Sequence, residues 1–185
     1  MNSFLQDNNH LNQSVSIQIT DVEIKQQLSF ISLNEDELKV LKTLQPIVSD
    51  NLENLVEKFY DAVLKVEQLK TIIETHSSIE RLSKTLQSHI HLIFNGEIND
   101  EYVSKRLKVA QIHFRIGLQP KWYLGAFQNI LEELIVIISE VAGSKEEQRK
   151  LISVASKILN FEQQLVLDLY EKENIGEKEQ QLQIE

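Results

Sequence analysis

The sequence predicts an all-α domain, and three observations carry that expectation. Glycine and proline are scarce, five and two in 185 residues, so few turns interrupt the chain. Apolar residues recur three and four positions apart over long stretches, which is the spacing of one helix face. Helix-start signatures, an Asn or Ser followed three residues later by Glu, punctuate those stretches. The length suits one domain with short extensions rather than two domains.

Residues 1–30 read as an N-terminal extension, polar and Asn/Gln-rich at first, with SVSIQIT alternating as a short extended piece. Asn34 with Glu37 opens a first helix carrying Leu38, Val40, Leu41 and Leu44, which ends near Gln45. Pro46 suits the first turn of a second, where its missing N–H costs nothing, and Leu52, Leu55, Val56, Phe59 and Val63 carry it to about Val66. A shorter piece follows from Glu67 to Thr75. Ser77 with Glu80 then caps a helix whose stripe is Ile79, Leu82, Leu86, Ile90 and Ile93, and Gly96 supplies a left-handed stop.

Asn99 or Asp100 caps the next helix, which bears Val103, Leu107, Ala110, His113 and Phe114 and ends at Gly117. Pro120 starts another, running from Lys121 to about Val141. Its apolar arc from Phe127 to Val141 is too wide for one buried face, so it packs on two sides, against its own core and against another subunit. Ser144 with Glu147 caps the last helix, with Leu151, Ala155, Ile158, Leu165 and Leu169, before the chain turns charged at EKENIGEKEQQ. Seven or eight helices with short connections make an irregular helical domain, for which a globin and an unrelated bundle are both candidates on pattern alone.

Composition narrows the function. The formal charge is -9, from 28 acidic and 19 basic residues, and no segment gathers Lys and Arg into a stripe that would neutralise phosphates. Nucleic acid is not an expected partner. The absence of cysteine removes disulfides, thiolate chemistry and Cys-ligated metal clusters. No apolar run approaches the roughly 20 residues that span a bilayer, and the N-terminus has no basic region followed by an apolar core. A soluble, cytoplasmic protein is the expectation.

None of the five histidines, His10, His76, His89, His91 and His113, falls in a spacing that specifies a metal site unaided. His113 differs because Val109 and Ile116, one turn to either side, set its imidazole among apolar side chains. That suits a proximal haem ligand: one nitrogen of the neutral ring binds iron while the other N–H needs an acceptor. A core histidine with satisfied hydrogen bonds is the alternative that spacing leaves open. A gas-binding haem also needs hydrogen-bond donors on its distal face. Thr85 lies beside the stripe with Leu82 and His89, and Tyr60 flanks Phe59 and Val63. The alternatives are a Thr85 hydroxyl bonded back to its own helix and a Tyr60 ring that is merely amphipathic. Trp122 reads as a structural anchor. No strained GxSxG serine or other nucleophile supports catalysis, and no enzyme activity is expected.

The stretch AQIHFRIGLQPKWYLGAFQNIL, around His113, resembles the proximal segment of globin-coupled sensors of the HemAT-type haem-based aerotaxis transducer kind. LKTLQPIVSDNLENLVEKFY, HSSIERLSKTLQSHI and KILNFEQQLVL match in the same order, so the likeness runs from about residue 20 to 172. The resemblance implies a globin fold over residues 31–172 and haem b as cofactor, with His113 as its iron ligand. It places Tyr60 and Thr85 as the distal polar residues, with Phe59 and Leu82 lining the pocket. His76 corresponds to a histidine near the haem edge and Tyr123 to a proximal tyrosine that responds to ligation.

The resemblance also implies reversible O2 binding and a homodimer built from the last two long helices. It implies signalling to an output domain or to chemotaxis proteins, with residues 173–185 as the start of a linker. Transducers of this kind continue into a methyl-accepting domain, and this sequence stops at Glu185, which fits an excised sensor or a single-domain relative. Two rival functions are a haem-free interaction module on the same fold and a globin dioxygenase.

Overall fold

A computed structural model describes residues 3–10 and 14–184. Residues 1, 2 and 11–13 of the expected extension, and residue 185 of the expected linker, lie outside the described residues. Helices α1 (Phe4–Asp7), α2 (Val22–Phe30), α3 (Glu35–Thr43), α4 (Gln45–Asp50) and α5 (Leu52–Val63) are followed by α6 (Glu67–His76) and α7 (Ile79–Ile93). The long helices α8 (Asp100–Arg115), α9 (Pro120–Val141) and α10 (Lys145–Ile184) complete the chain. Two three-residue strands, β1 (Ser16–Gln18) and β2 (Glu97–Asn99), pair in parallel with Ile17 opposite Ile98. The globin-type all-α fold expected from the sequence is the fold observed.

Local signals account for most boundaries. The Asn34 side chain accepts from Glu37 N at 3.0 Å, Asn99 accepts from Tyr102 N at 2.8 Å, and Ser144 accepts from Glu147 N at 3.1 Å. Each satisfies a backbone donor that the first helical turn leaves without a partner. Gly117, at a φ of +83°, closes α8 in the left-handed region.

Two expectations are corrected. The cap of α7 is Ser78, whose hydroxyl accepts from Arg81 N at 3.3 Å, not Ser77; Ser77 is extended and terminates α6. The helix expected from Pro46 to Val66 is divided at Asn51, whose side-chain amide donates to the Ile47 carbonyl at 2.7 Å and diverts the backbone there. The last helix runs on through the charged tail to Ile184, since the Glu, Lys and Gln there are good helix formers. β2 was not foreseen, because EIN between Gly96 and Asp100 is too short to show a period.

The core lies where α10 packs along α9, α8, α3 and α2, and where α5 meets α7 and α9. Leu38, Leu41, Leu134, Leu151, Ile158 and Phe161 are wholly buried there. At roughly 1.5–3 kcal/mol for each large apolar side chain buried, this seam supplies the main drive to fold. The residues before position 31 share it, since Ile19 and Leu28 are buried in the same cluster. No described helix is long and apolar enough to cross a membrane.

Gly96 is required twice over. Its φ is +80°, and a Cβ there would meet Val15 Cγ1 at 2.9 Å and Lys42 Cδ at 3.1 Å, whereas nothing lies within 4 Å of a Cβ at Gly117. Gly96→Ala is therefore expected to cost about 2–3 kcal/mol and Gly117→Ala about 1 kcal/mol. Urea unfolding midpoints of the two variants test the order.

Candidate functional site

Helices α5 to α9 enclose a cavity of about 430 Å³, within the range of roughly 300–1,000 Å³ usual for small-molecule sites. All seven residues singled out in the sequence line it: Phe59 and Tyr60 from α5, His76 at the end of α6, Leu82 and Thr85 from α7, His113 from α8 and Tyr123 from α9. Its remaining walls are mostly apolar, including Val63, Ile73, Val109, Ile116, Phe127 and Ile130. His76 and Arg81 line it and are exposed, so they stand where it meets solvent.

His113 is held on the last turns of α8, edge-on to the Tyr123 ring at 5.4 Å, and Tyr123 in turn packs on Phe127 at 5.1 Å. Its Nδ1 is sealed from solvent near the Val109 carbonyl one turn back, close enough to favour a proton on the ring but short of hydrogen-bond geometry. Nε2 is not sealed, which leaves it as the nitrogen open to the cavity. Burial, opposed by Val109 and reinforced by His89, holds the ring's pKa below its usual 6.5. His113 thus presents a neutral imidazole with a free lone pair to an apolar chamber.

In the cavity wall formed by α5, Tyr60 is buried edge-to-face against Phe59 at 5.0 Å, and burial pushes its phenol up to about 12, so it stays a proton donor. Its hydroxyl has no hydrogen-bond partner among the described residues. Thr85 lines the same cavity, but its Oγ1 donates to the Arg81 carbonyl at 3.1 Å, the back-bonding that its helical position allows. Of the two candidate distal donors, Tyr60 is therefore the one not already committed.

The residues fit a haem. A flat apolar macrocycle suits the mostly apolar lining, and one neutral histidine suits an axial ligand. Arg81 at the opening suits the cofactor's carboxylates, and Trp122 Nε1 is a buried donor in the cavity wall without a partner. Among the described residues no group of three or more His, Cys, Asp or Glu could hold a metal by side chains alone.

Sequence reasoning gave His89 no role and missed Arg106 and Glu162. Glu162 falls in the stripe Leu151, Ala155, Ile158, Leu165, Leu169, and Arg106 falls between Val103 and Ala110 in the stripe of α8. A charge where helical spacing calls for an apolar residue is the signal that would have found both.

Fold and cavity together define a globin-type ligand-binding domain. The chain belongs to the Protoglobin family, whose model matches residues 20–175. It is 29% identical over 164 residues to the heme-based aerotactic transducer HemAT of Halobacterium salinarum, covering 83% of this chain and 34% of that protein. The chain thus spans about a third of that relative's length. The globin domain of the Geobacter sulfurreducens globin-coupled sensor superposes with a TM-score of 0.74 at 21% identity, over 79% of this chain and 96% of that one. The ferric globin domain of E. coli DosC gives 0.67 at 12% identity, over 80% and 99%. These two likenesses concern the fold.

The lowered pKa of His113 has a consequence for acid stability. The unfolded chain takes up the proton first, so the folded state loses stability as pH falls through 6.5 toward the lowered value and recovers it above 6.5. Haem-free wild-type protein is expected to lose stability relative to His113→Leu between about pH 7 and about pH 5. Parallel urea midpoints for the two proteins across that range would contradict this assignment.

Proposed function

We propose that this domain binds haem b through His113 and senses oxygen, passing the change to an output domain or a partner protein rather than catalysing a reaction. The observation that carries the reading is the neutral His113 imidazole, with Nε2 open to an apolar cavity that an uncommitted Tyr60 donor also lines. Family membership and likeness to a protein named an aerotactic transducer support it.

When bound, ferrous haem supplies an iron that takes a diatomic gas reversibly. His113 would hold the cofactor's iron, with Tyr123 and Phe127 buttressing the imidazole. Phe59 and Leu82 keep the distal space apolar and exclude water, while Tyr60 offers a donor that favours polar dioxygen over carbon monoxide. Thr85 can join only by giving up the Arg81 carbonyl. His76 and Arg81 hold the solvent edge.

Part of the apolar arc of α9 and α10 remains uncovered, with Val136 49% and Leu167 42% exposed, which favours a homodimer through these helices. A cytoplasmic location and chemotaxis proteins as readers follow from the same reading.

The test is the visible spectrum of purified protein, reduced under argon and then opened to air. A reversible change supports the reading, and a chain that stays colourless after haem is added overturns it in favour of a haem-free interaction module. His113→Ala is expected to lose stable haem binding. Tyr60→Phe is expected to raise the oxygen dissociation rate about tenfold, equivalent to about 1.4 kcal/mol, in stopped-flow measurements. Thr85→Ala raises it by less.

A further inference from the structure

Glu162 is 1% exposed, on α10, and its carboxylate is shared among three side chains from two other helices. His89 Nε2 of α7 meets Oε2 at 3.1 Å, Arg106 Nε of α8 pairs with Oε1 at 3.1 Å, and the Tyr102 hydroxyl of α8 donates to Oε1. Arg106 also contacts His89 Nδ1 through a terminal guanidinium nitrogen. Arginine has only donors, so Nδ1 faces a donor while Nε2 faces the Glu162 carboxylate. Phe161 stacks on Tyr102 at 6.5 Å, and the Arg106 guanidinium lies 4.9 Å over the same ring. The carboxylate's pKa is lowered: burial acts to raise it, but His89, Arg106 and Tyr102 outweigh that.

The placement of these groups gives the network a use beyond packing. His89 lines the cavity, and Arg106 lies two turns before His113 on the same face of α8. Two of the helices that wall the cavity, α7 and α8, therefore meet α10 at one buried anion. Apolar contacts can slide by small rotamer changes, but this anion cannot part from one helix without leaving a buried charge short of partners. Stability alone is a weak reason for such a cluster, because buried ion pairs are often replaceable by apolar side chains without loss.

We propose that Glu162 is the positioning residue that conveys the state of the cavity to α10, so that a shift of α7 relative to α8 reaches α10 through His89 and Arg106. This rests on the oxygen-sensor reading. The test is amide hydrogen exchange of α10 in the haem-loaded full chain, without oxygen and saturated with it, for wild type, Glu162→Gln and His89→Gln.

In wild type, protection of α10 is expected to differ between the two states. Glu162→Gln is expected to keep haem stoichiometry and spectrum while shrinking that difference about fivefold or more. A purely structural role would lower protection equally in both states and leave the difference intact. His89→Gln reads the same quantity should Glu162→Gln fail to fold. A difference of wild-type size in the variants overturns the proposal, as does a wild type that binds oxygen with no change in α10. A wild type that takes up no haem overturns the sensor reading and this proposal together, and is told apart by its lack of colour.

Discussion

The inner stripe of α10 is the constraint on which the rest of the molecule depends. Leu151, Ala155, Ile158, Phe161, Leu165 and Val166 are buried along it, and α9, α8, α3 and α2 all find their places against that one surface. Short helices of six to twelve residues, such as α3 to α5, are marginal by themselves in water. They persist here because a long apolar surface fixes their positions. The cavity is a product of the same arrangement: α8 and α9 lie against α10 on one side, α5 and α7 lean across, and the space between them remains open.

That openness places opposite demands on neighbouring side chains. Protein interiors close-pack, so a chamber survives only where its walls are stiff. The aromatic sequence His113, Tyr123, Phe127 provides one stiff wall and the Phe59–Tyr60 pair another, each held by edge-to-face or tilted ring contacts. Polar groups in these walls are few and each is specified. Thr85 is committed to its own helix and His89 to a buried ion cluster, while Tyr60 and Trp122 Nε1 are left to what enters. Chemistry in the chamber is thus decided as much by which donors are already spent as by which are present.

Helical content and most element boundaries were legible in the sequence, because caps such as Asn34, Asn99 and Ser144 act through bonds three residues long. The site residues were legible as a set only through the resemblance, since spacing alone left His113 open to a bland reading. Less visible were features decided by distant contacts. The division at Asn51 turns on one side-chain bond. The pairing of β1 with β2 joins segments some eighty residues apart, and neither strand is long enough to declare itself. Glu162 and Arg106 were written in the sequence as breaks in apolar stripes, but nothing local says that the two breaks face each other.

That strand pair bears on where this domain begins. Family similarity starts at residue 20, yet β1 lies just before that point and β2 well inside it. The link does not stop at the strands. Thr20 donates through its N–H and its hydroxyl to Asp100, at 3.0 and 2.8 Å, and Asp100 is the first residue of the helix that carries His113. Trimming the chain to the matched residues would bare the edge of β2 and free the segment that holds Thr20 over the start of α8. The boundary that similarity draws and the boundary that the fold needs are therefore different, and the region between them reaches, through a single helix, to the bottom of the cavity.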